Sequence, residues 1–227
     1  MRETGAEKSG TELPHEIPIF PLTGALLLPG GRLPLNIFEP RYLAMVEDAV
    51  KGARIIGMVQ PQEPDAESRV DEPDLYRIGC AGRITTLRET QDGRFEIVLD
   101  GFSRFEILRE VEHGQDYRVA EVRFDPFARD LEGLESEDEA FDAAARAKLL
   151  IALERFLSGR GTSMNGTGIA ELPAGELVAA IAMSCPFHPS EKQALLEASG
   201  ARERAEILGS LLEMAAFEEA GGGLRRQ

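Results

Sequence analysis

The sequence predicts an α+β fold: a mostly antiparallel β domain with one helix, followed by a C-terminal helical bundle. Three observations carry this. Residues 17–124 hold roughly six runs of strand-like patterning around a single helical stripe. Asp92-Gly93 sits between two alternating runs, a strong hairpin signal. Beyond Asp125 the composition turns acidic and then helical, with no further strand pattern.

Residues 1–16 are polar and aperiodic and are expected to form a disordered arm. Ile17 to Leu22 is an apolar run cut by Pro18 and Pro21, so it suits an edge or end strand, because proline cannot donate to a ladder. Pro29-Gly30-Gly31 forces a turn, and Arg32 to Phe38 follows as a second strand. Pro40 fits the first position of a helix, where its missing N–H costs nothing. Tyr42, Leu43, Met45, Val46, Ala49 and Val50 then share one helical face, and Gly52 stands where a left-handed cap would end it. Arg54 to Gln60 returns as a strand, and Gln62 to Asp74 is an acidic, proline-bearing loop. Tyr76 to Glu89 reads as a long strand with Gly79 and Gly82 as bulge or bend sites. Arg94 to Asp100, Gly101 to Val111 and Tyr117 to Phe124 complete a meander, closing a β domain over 17–124.

Residues 125–135 form an acidic stretch with few apolar anchors, expected as an accessible linker. A helical bundle is expected over 136–220. Ser136 and Glu139 fit a capping box, ahead of a stripe through Phe141, Ala145, Lys148, Leu149, Ala152, Leu153 and Phe156. A glycine-rich loop, Ser158 to Gly168, separates this helix from three more at Gly175–Met183, Ser190–Ala198 and Ala201–Ala220. Residues 221–227 are expected to fray.

Charge and cysteine usage exclude several classes. The 227 residues carry a formal net charge of −15. Residues 17–124 hold 13 basic and 18 acidic side chains, and residues 125–227 hold 10 and 18, so no basic half hides in the average. That balance opposes nucleic acid and anionic lipid, both of which need cationic side chains. The two cysteines, Cys80 and Cys185, are too few and too distant for a secreted scaffold. No apolar h-region opens the chain and no window of about 20 apolar residues spans a bilayer, so the reading is cytoplasmic and without a membrane.

Against this background, certain words carry a resemblance. Ile17-Pro18-Ile19-Phe20-Pro21-Leu22, Leu33-Pro34-Leu35-Asn36-Ile37-Phe38-Glu39-Pro40-Arg41-Tyr42, Ile56-Gly57, Gly101 with Arg104, and Gln193, Leu195, Leu196 and Leu208 in the last helices resemble the N-terminal, substrate-recognition domain of Lon proteases. The resemblance spans roughly residues 15–220. It implies a PUA-like β domain joined to a helical bundle, and a non-catalytic module that binds unfolded or tagged polypeptide. An adaptor role in protein quality control and an ATP-dependent protease as partner follow from the same resemblance. A full Lon protease also needs a GxxxxGK[ST] phosphate loop and a Ser–Lys dyad. The chain has no Gly-Lys pair, and Lys8, Lys51, Lys148 and Lys192 lie in no nucleophile motif. The reading is therefore not an enzyme and without a cofactor. RNA binding is the alternative, because PUA-like domains often bind RNA, and charge argues against it.

Candidate sites compete with plainer roles. Cys185-Pro-Phe-His188 offers two metal ligands where a closed zinc site needs four. The glycine-rich loop follows a helix, whereas a phosphate cradle follows a strand. Glu135, Glu137, Asp138 and Glu139 lack EF-hand order. Arg41, Tyr42 and Arg104 admit two readings: a binding surface for a carboxylate or a base, or Tyr42 in the core with both arginines bonding carbonyls or Glu39. Leu26, Leu27 and Leu28 beside the Pro-Gly-Gly turn are expected to leave at least one side chain facing solvent, in a groove with Phe38 or Tyr42, covered by a client chain or a second protomer in a homo-oligomer.

Overall fold

The computed structural model describes residues 13–62, 73–132, 142–163 and 168–222. β1 (Glu16–Pro21), β2 (Arg32–Ile37), α1 (Pro40–Lys51), β3 (Ile55–Val59), β4 (Ile78–Glu89), β5 (Phe95–Val111) and β6 (Arg118–Arg123) come first. A 3-10 segment, Asp125–Leu131, leads to α2 (Ala143–Gly159), α3 (Ala174–Ser184), α4 (Pro189–Glu197) and α5 (Ala201–Gly222). The α+β layout expected from the sequence is present. Among the described residues no helix is long and apolar enough to cross a membrane.

The β part closes on itself. β1 pairs with β3 in parallel, and β3–β4, β4–β5, β5–β6 and β6–β1 pair antiparallel, which makes a five-stranded barrel. β5 is long enough to serve twice: its second half joins β6, while its first half, with β4, carries β2 as an outer strand. The two runs expected at 94–100 and 101–111 are thus one continuous strand. The barrel interior is filled by Ile17, Ile19, Phe105, Ala120 and Val122. A second, larger core lies between the outer sheet face, α1 and the bundle, and includes Met45, Val46, Ile97, Leu177, Leu195 and Leu208. Barrel and bundle therefore share apolar contacts.

Four local expectations are corrected. Gly52 is not the left-handed residue after α1: its φ is −103°, and the reversal falls on Arg54 at φ 61°. The Arg54 side chain donates to the Ile84 carbonyl (3.2 Å), which fixes that corner. The arm expected over 1–16 is not disordered at its end, where Glu16 opens β1 and the His15 carbonyl accepts from the Val122 amide (2.7 Å). α2 is capped by Asp142, whose carboxylate accepts from the Ala145 amide (2.7 Å); residues 1–12, residues 63–72 of the acidic loop, Ser136, Phe141 and the acidic group 135–139, residues 164–167 and the tail from 223 lie outside the described residues. The linker expected over 125–135 is not loose in its described part, because the 3-10 segment is fastened to β5 through Asp130.

The leucine turn is the largest correction. Leu26, Leu27 and Leu28 are 2 %, 1 % and 0 % exposed, so none faces solvent and they form no groove. The reason lies far away in sequence. The turn folds back over β4 and β5 at two glycines, where a Cβ on Gly82 would stand 2.7 Å from Leu27 Cδ2 and one on Gly101 would collide with the Leu28 carbonyl. Gly30 donates to the Gly101 carbonyl and Gly101 donates to the Gly31 carbonyl, both at 2.8 Å. Met183 of α3 packs over Gly31 from the other side.

Polar side chains stitch the bundle to the barrel. Gln60 Nε2 donates to the Pro189 carbonyl (3.0 Å), Lys192 Nζ to the Gly24 carbonyl (2.6 Å) and Gln193 Nε2 to the Ile78 carbonyl (3.1 Å). Burial holds the Lys192 ammonium below the usual lysine range.

Truncating Leu28 to alanine should cost about 2–5 kcal/mol. Gly101→Ala should destabilise by about 1–3 kcal/mol through overpacking. Urea unfolding followed by circular dichroism checks both. A Leu27→Ser/Leu28→Ser protein with an unchanged midpoint would return the turn to the surface.

Candidate functional site

Because β1 and β3 run parallel, both end at the same rim of the barrel, with Pro21 closing β1 and Pro61 just beyond β3. β6 runs antiparallel to β1 and begins at that rim, with Arg118 opposite Ile19. The first turn of α1 starts at Pro40 and sets Arg41 and Tyr42 beside them. Arg41, Tyr42, Asp116, Tyr117 and Arg118, with Pro21, Pro61 and Pro73, line a cleft of about 270 Å³. Two of the sequence-predicted residues are thus brought together. Tyr117 and Arg118 were not legible as partners, since no spacing links 41–42 to 117–118; the prolines that end β1 and follow β3 were the available signal.

Tyr42 has two ring neighbours. Its ring packs on Phe20 at 4.3 Å between centroids, and the Arg41 guanidinium lies 4.6 Å above it. The residue is 8 % exposed, and what remains opens onto the cleft. Its hydroxyl has no hydrogen-bond partner among the described residues. Burial pushes the phenol up, Arg41 opposes this, Glu39 adds to it and Arg118 opposes it. Arg41 also meets Glu39 at 2.9 Å in an exposed ion pair, of a kind worth little in water. Tyr117 donates to Asp48 (3.1 Å), and its ring packs at a tilt against His113 at 4.6 Å between centroids. Burial, then that bond and the charge of Asp48, raise the Tyr117 phenol. Arg118 pairs with Glu110 and donates to the Pro73 carbonyl (3.0 Å).

A second feature adjoins the cleft. β2 lies outside the barrel and ends the sheet. Gly31 accepts from Gly101, and the alternation that follows turns the backbone groups of Leu33, Leu35 and Ile37 toward β5 and those of Arg32, Pro34 and Asn36 outward. Pro34 is therefore tolerated because its missing donor lies on the free edge. Phe38, just past β2, is 61 % exposed and leads within one turn to Arg41.

Arg104 is elsewhere and serves structure. Its guanidinium grips Asp130 through Nε (2.8 Å) and the second terminal nitrogen (2.9 Å), donates to the Leu196 (3.3 Å) and Ala198 carbonyls, and covers the Phe127 ring at 4.7 Å. Both charged side chains are at most 4 % exposed. The reading in which it bonds carbonyls holds, and it shares no site with Arg41. Cys185 is buried at the end of α3, its thiol pushed up to about 11 by burial, while His188 opens α4 and its backbone N–H donates to Glu191. Burial also raises the Cys80 thiol. The described residues hold no cluster of three His, Cys, Asp or Glu fit for a metal.

The barrel exterior is charge-paired. Arg32–Asp100, Arg88–Glu96, Arg109–Glu121 and Arg123–Glu106 each join residues directly opposite on neighbouring strands. These four arginines thus face carboxylates, while Arg83 donates to the Ala53 carbonyl (3.1 Å).

Comparison with known proteins places these features. A family model described as the ATP-dependent protease La (LON) substrate-binding domain matches residues 16–214. Lon protease 2 of Myxococcus xanthus is 27 % identical over 202 residues, covering 88 % of the chain and 24 % of the relative. The Lon protease of Parabacteroides distasonis is 36 % identical over 103 residues, 45 % of the chain and 12 % of the relative. The chain spans about a quarter or less of the curated relatives it matches. Two solved structures share the fold: a Lon N-terminal domain protein from Xanthomonas campestris (TM-score 0.59, 22 % identity, 86 % of this chain and 97 % of that one), and the N-terminal domain of Mycobacterium avium complex Lon protease (TM-score 0.62, 18 % identity, 87 % and 97 %).

Two outcomes follow from the geometry. Arg104→Met leaves Asp130 buried without its cation and should cost about 3–5 kcal/mol in urea unfolding. Adding Asp130→Leu should return part of that loss, whereas simple additivity would separate the two side chains energetically. The second concerns alkaline pH. The folded phenols of Tyr42 and Tyr117 ionise above their unfolded value. Their contribution is therefore intact below about pH 10 and is lost as pH rises through the folded values. Absorbance at 295 nm should show two late-ionising tyrosines, one removed by Tyr42→Phe and one by Tyr117→Phe.

Proposed function

The chain belongs to the family of ATP-dependent protease La (LON) substrate-binding domains, and from that premise we propose that it is a non-catalytic module that holds unfolded or tagged polypeptide for an ATP-dependent protease. The observation that carries this reading is the open sheet edge of β2, which lies outside the closed barrel and runs into the exposed Phe38. An extended chain adds to such an edge through main-chain bonds and needs no particular sequence, which suits a receptor for unfolded clients. Pro34 removes the middle donor, so the added ladder is short and reversible, and two β2 edges are discouraged from pairing with each other. Adaptor work in quality control, delivering such clients, is the role this supports.

The thiols support a module without chemistry of its own. Nucleophilic cysteines need a depressed pKa, and burial moves both of these the other way. RNA finds no support, because Arg32, Arg88, Arg109 and Arg123 meet carboxylates on the opposite strands instead of forming a basic stripe.

Fluorescence anisotropy with a labelled unfolded polypeptide tests the reading. Binding is expected, and Asn36→Pro, which removes a second outward donor, together with Phe38→Ser, should weaken it by about tenfold at unchanged melting temperature. Unchanged affinity in that variant would take the contact off β2. Sub-micromolar, salt-sensitive binding of a structured RNA would replace the proposal.

A further inference from the structure

From the groove between α2 and α5, we infer that the bundle carries a self-association surface, and that a second copy of this chain fills it with its helices parallel to those of the first. The inference stands on the bundle alone and is independent of the polypeptide reading.

The charges of the groove are the first reason. Ala145 and Arg202 line one end and Gly159 and Phe217 the other, so α2 and α5 run parallel. Equal helical rise then sets Lys148 level with Glu206, Ile151 with Gly209, Arg155 with Glu213 and Gly159 with Phe217. The walls differ in sign. α2 presents Lys148 and Arg155, and α5 presents Glu206 and Glu213. Members of each pair are one heptad apart, so they stay on one face of their helix. Glu154 and Arg202 also line the groove and leave each wall with one net charge, positive on α2 and negative on α5. Among the described residues no ion pair joins the walls, and Glu206 meets Arg202 of its own helix at 3.3 Å.

The sizes of the side chains are the second. Ile151 and Phe217 are 51 % and 79 % exposed, large apolar groups on opposite walls. What stands level with each across the groove is small: Gly209 and Ser210 opposite Ile151, Ser158 and Gly159 opposite Phe217. The groove also widens toward Phe217, from about 340 Å³ to about 800 Å³. Each wall therefore carries a knob, and the other wall a hole at its height.

These features fit a second copy. Half a turn about the long axis of the groove lays the second α2 on the first α5, at the same level and in the same direction. Lys148 and Arg155 then meet Glu206 and Glu213 of the second copy, and Ile151 and Phe217 enter where its small residues stand. Every contact occurs twice, which closes the pair. Half a turn about the perpendicular axis lays α2 on α2 instead, and sets like charges together. The net charge of −15 repels at long range, but screening within about 8 Å at physiological salt leaves the facing walls to decide. The face is two helices wide, about 20 Å, and about 22 Å long, so the pair buries about 900 Å² in total, and the dimer is a weak, micromolar one.

Sedimentation equilibrium on the full chain, up to about 200 µM, tests this. A concentration-dependent dimer is expected. Phe217→Ser and Ile151→Ser, both at exposed positions, should each weaken it about tenfold at unchanged melting temperature. Arg155→Glu and Glu213→Arg each give both walls one sign at that level, so each alone should be monomeric. An equimolar mixture of the two should recover the dimer, because the facing positions of a mixed pair are again opposite in sign. A monomer throughout the range would overturn the proposal, and so would a dimer that survives both serine variants. Reversal variants that stay apart when mixed would overturn the parallel two-fold arrangement.

Discussion

A guanidinium taken out of water must meet an anion and satisfy its N–H groups, and Arg104 does so by drawing three segments of chain together. It belongs to β5, its anion Asp130 belongs to the 3-10 segment, and its remaining acceptors are the carbonyls at the end of α4. Those carbonyls are among the last of a helix and lack intrahelical partners. One side chain thus closes a helix, neutralises a carboxylate and fixes where the bundle sits on the barrel. Such a pair adds little net stability over an apolar replacement, but its half-removal is costly. Its role here is geometric: other dispositions of the three segments leave a charge buried and alone.

The leucine turn depends on a complementary constraint, the removal of side chains. Gly82 and Gly101 lower the floor of the sheet where Leu27 and Leu28 enter, and the glycine amides and carbonyls of turn and strand bond to each other. The covered sheet then presents an apolar face that the bundle can share. The same packing brings β2 onto the first half of β5 and leaves its outer side open. The site regions are therefore what the two constraints leave uncovered.

How much of this was legible follows the range of the interaction. Pro40, the α1 stripe, the Asp92-Gly93 hairpin and the helical runs after 142 act within a few residues of themselves, and their elements are present. Gly52 misled because the usual cap residue was available while the reversal was taken two positions later by Arg54. Leu26 to Leu28 misled because their cover comes from Gly82, Gly101 and Met183, distant residues that carry no local sign of a pocket. Asp130 was lost among acidic neighbours, since nothing in its own stretch names the arginine it meets. The cleft was half visible: Arg41 and Tyr42 stand in one word, but Tyr117 and Arg118 reach them only because the ends of β1 and β3 and the start of β6 meet at one rim.

The seam between barrel and bundle is written unevenly in the chain. Gln60, Lys192, Gln193 and Arg104 supply side-chain donors, and their acceptors at Pro189, Gly24, Ile78, Leu196 and Ala198 are all main-chain oxygens. Every residue type carries that oxygen, so the acceptor positions can drift without disturbing these bonds as long as the backbone keeps its path. The donor positions have no such freedom. A lineage could rewrite one side of this seam almost completely while four letters on the other stay put, and two descendants could share an assembly with few letters in common.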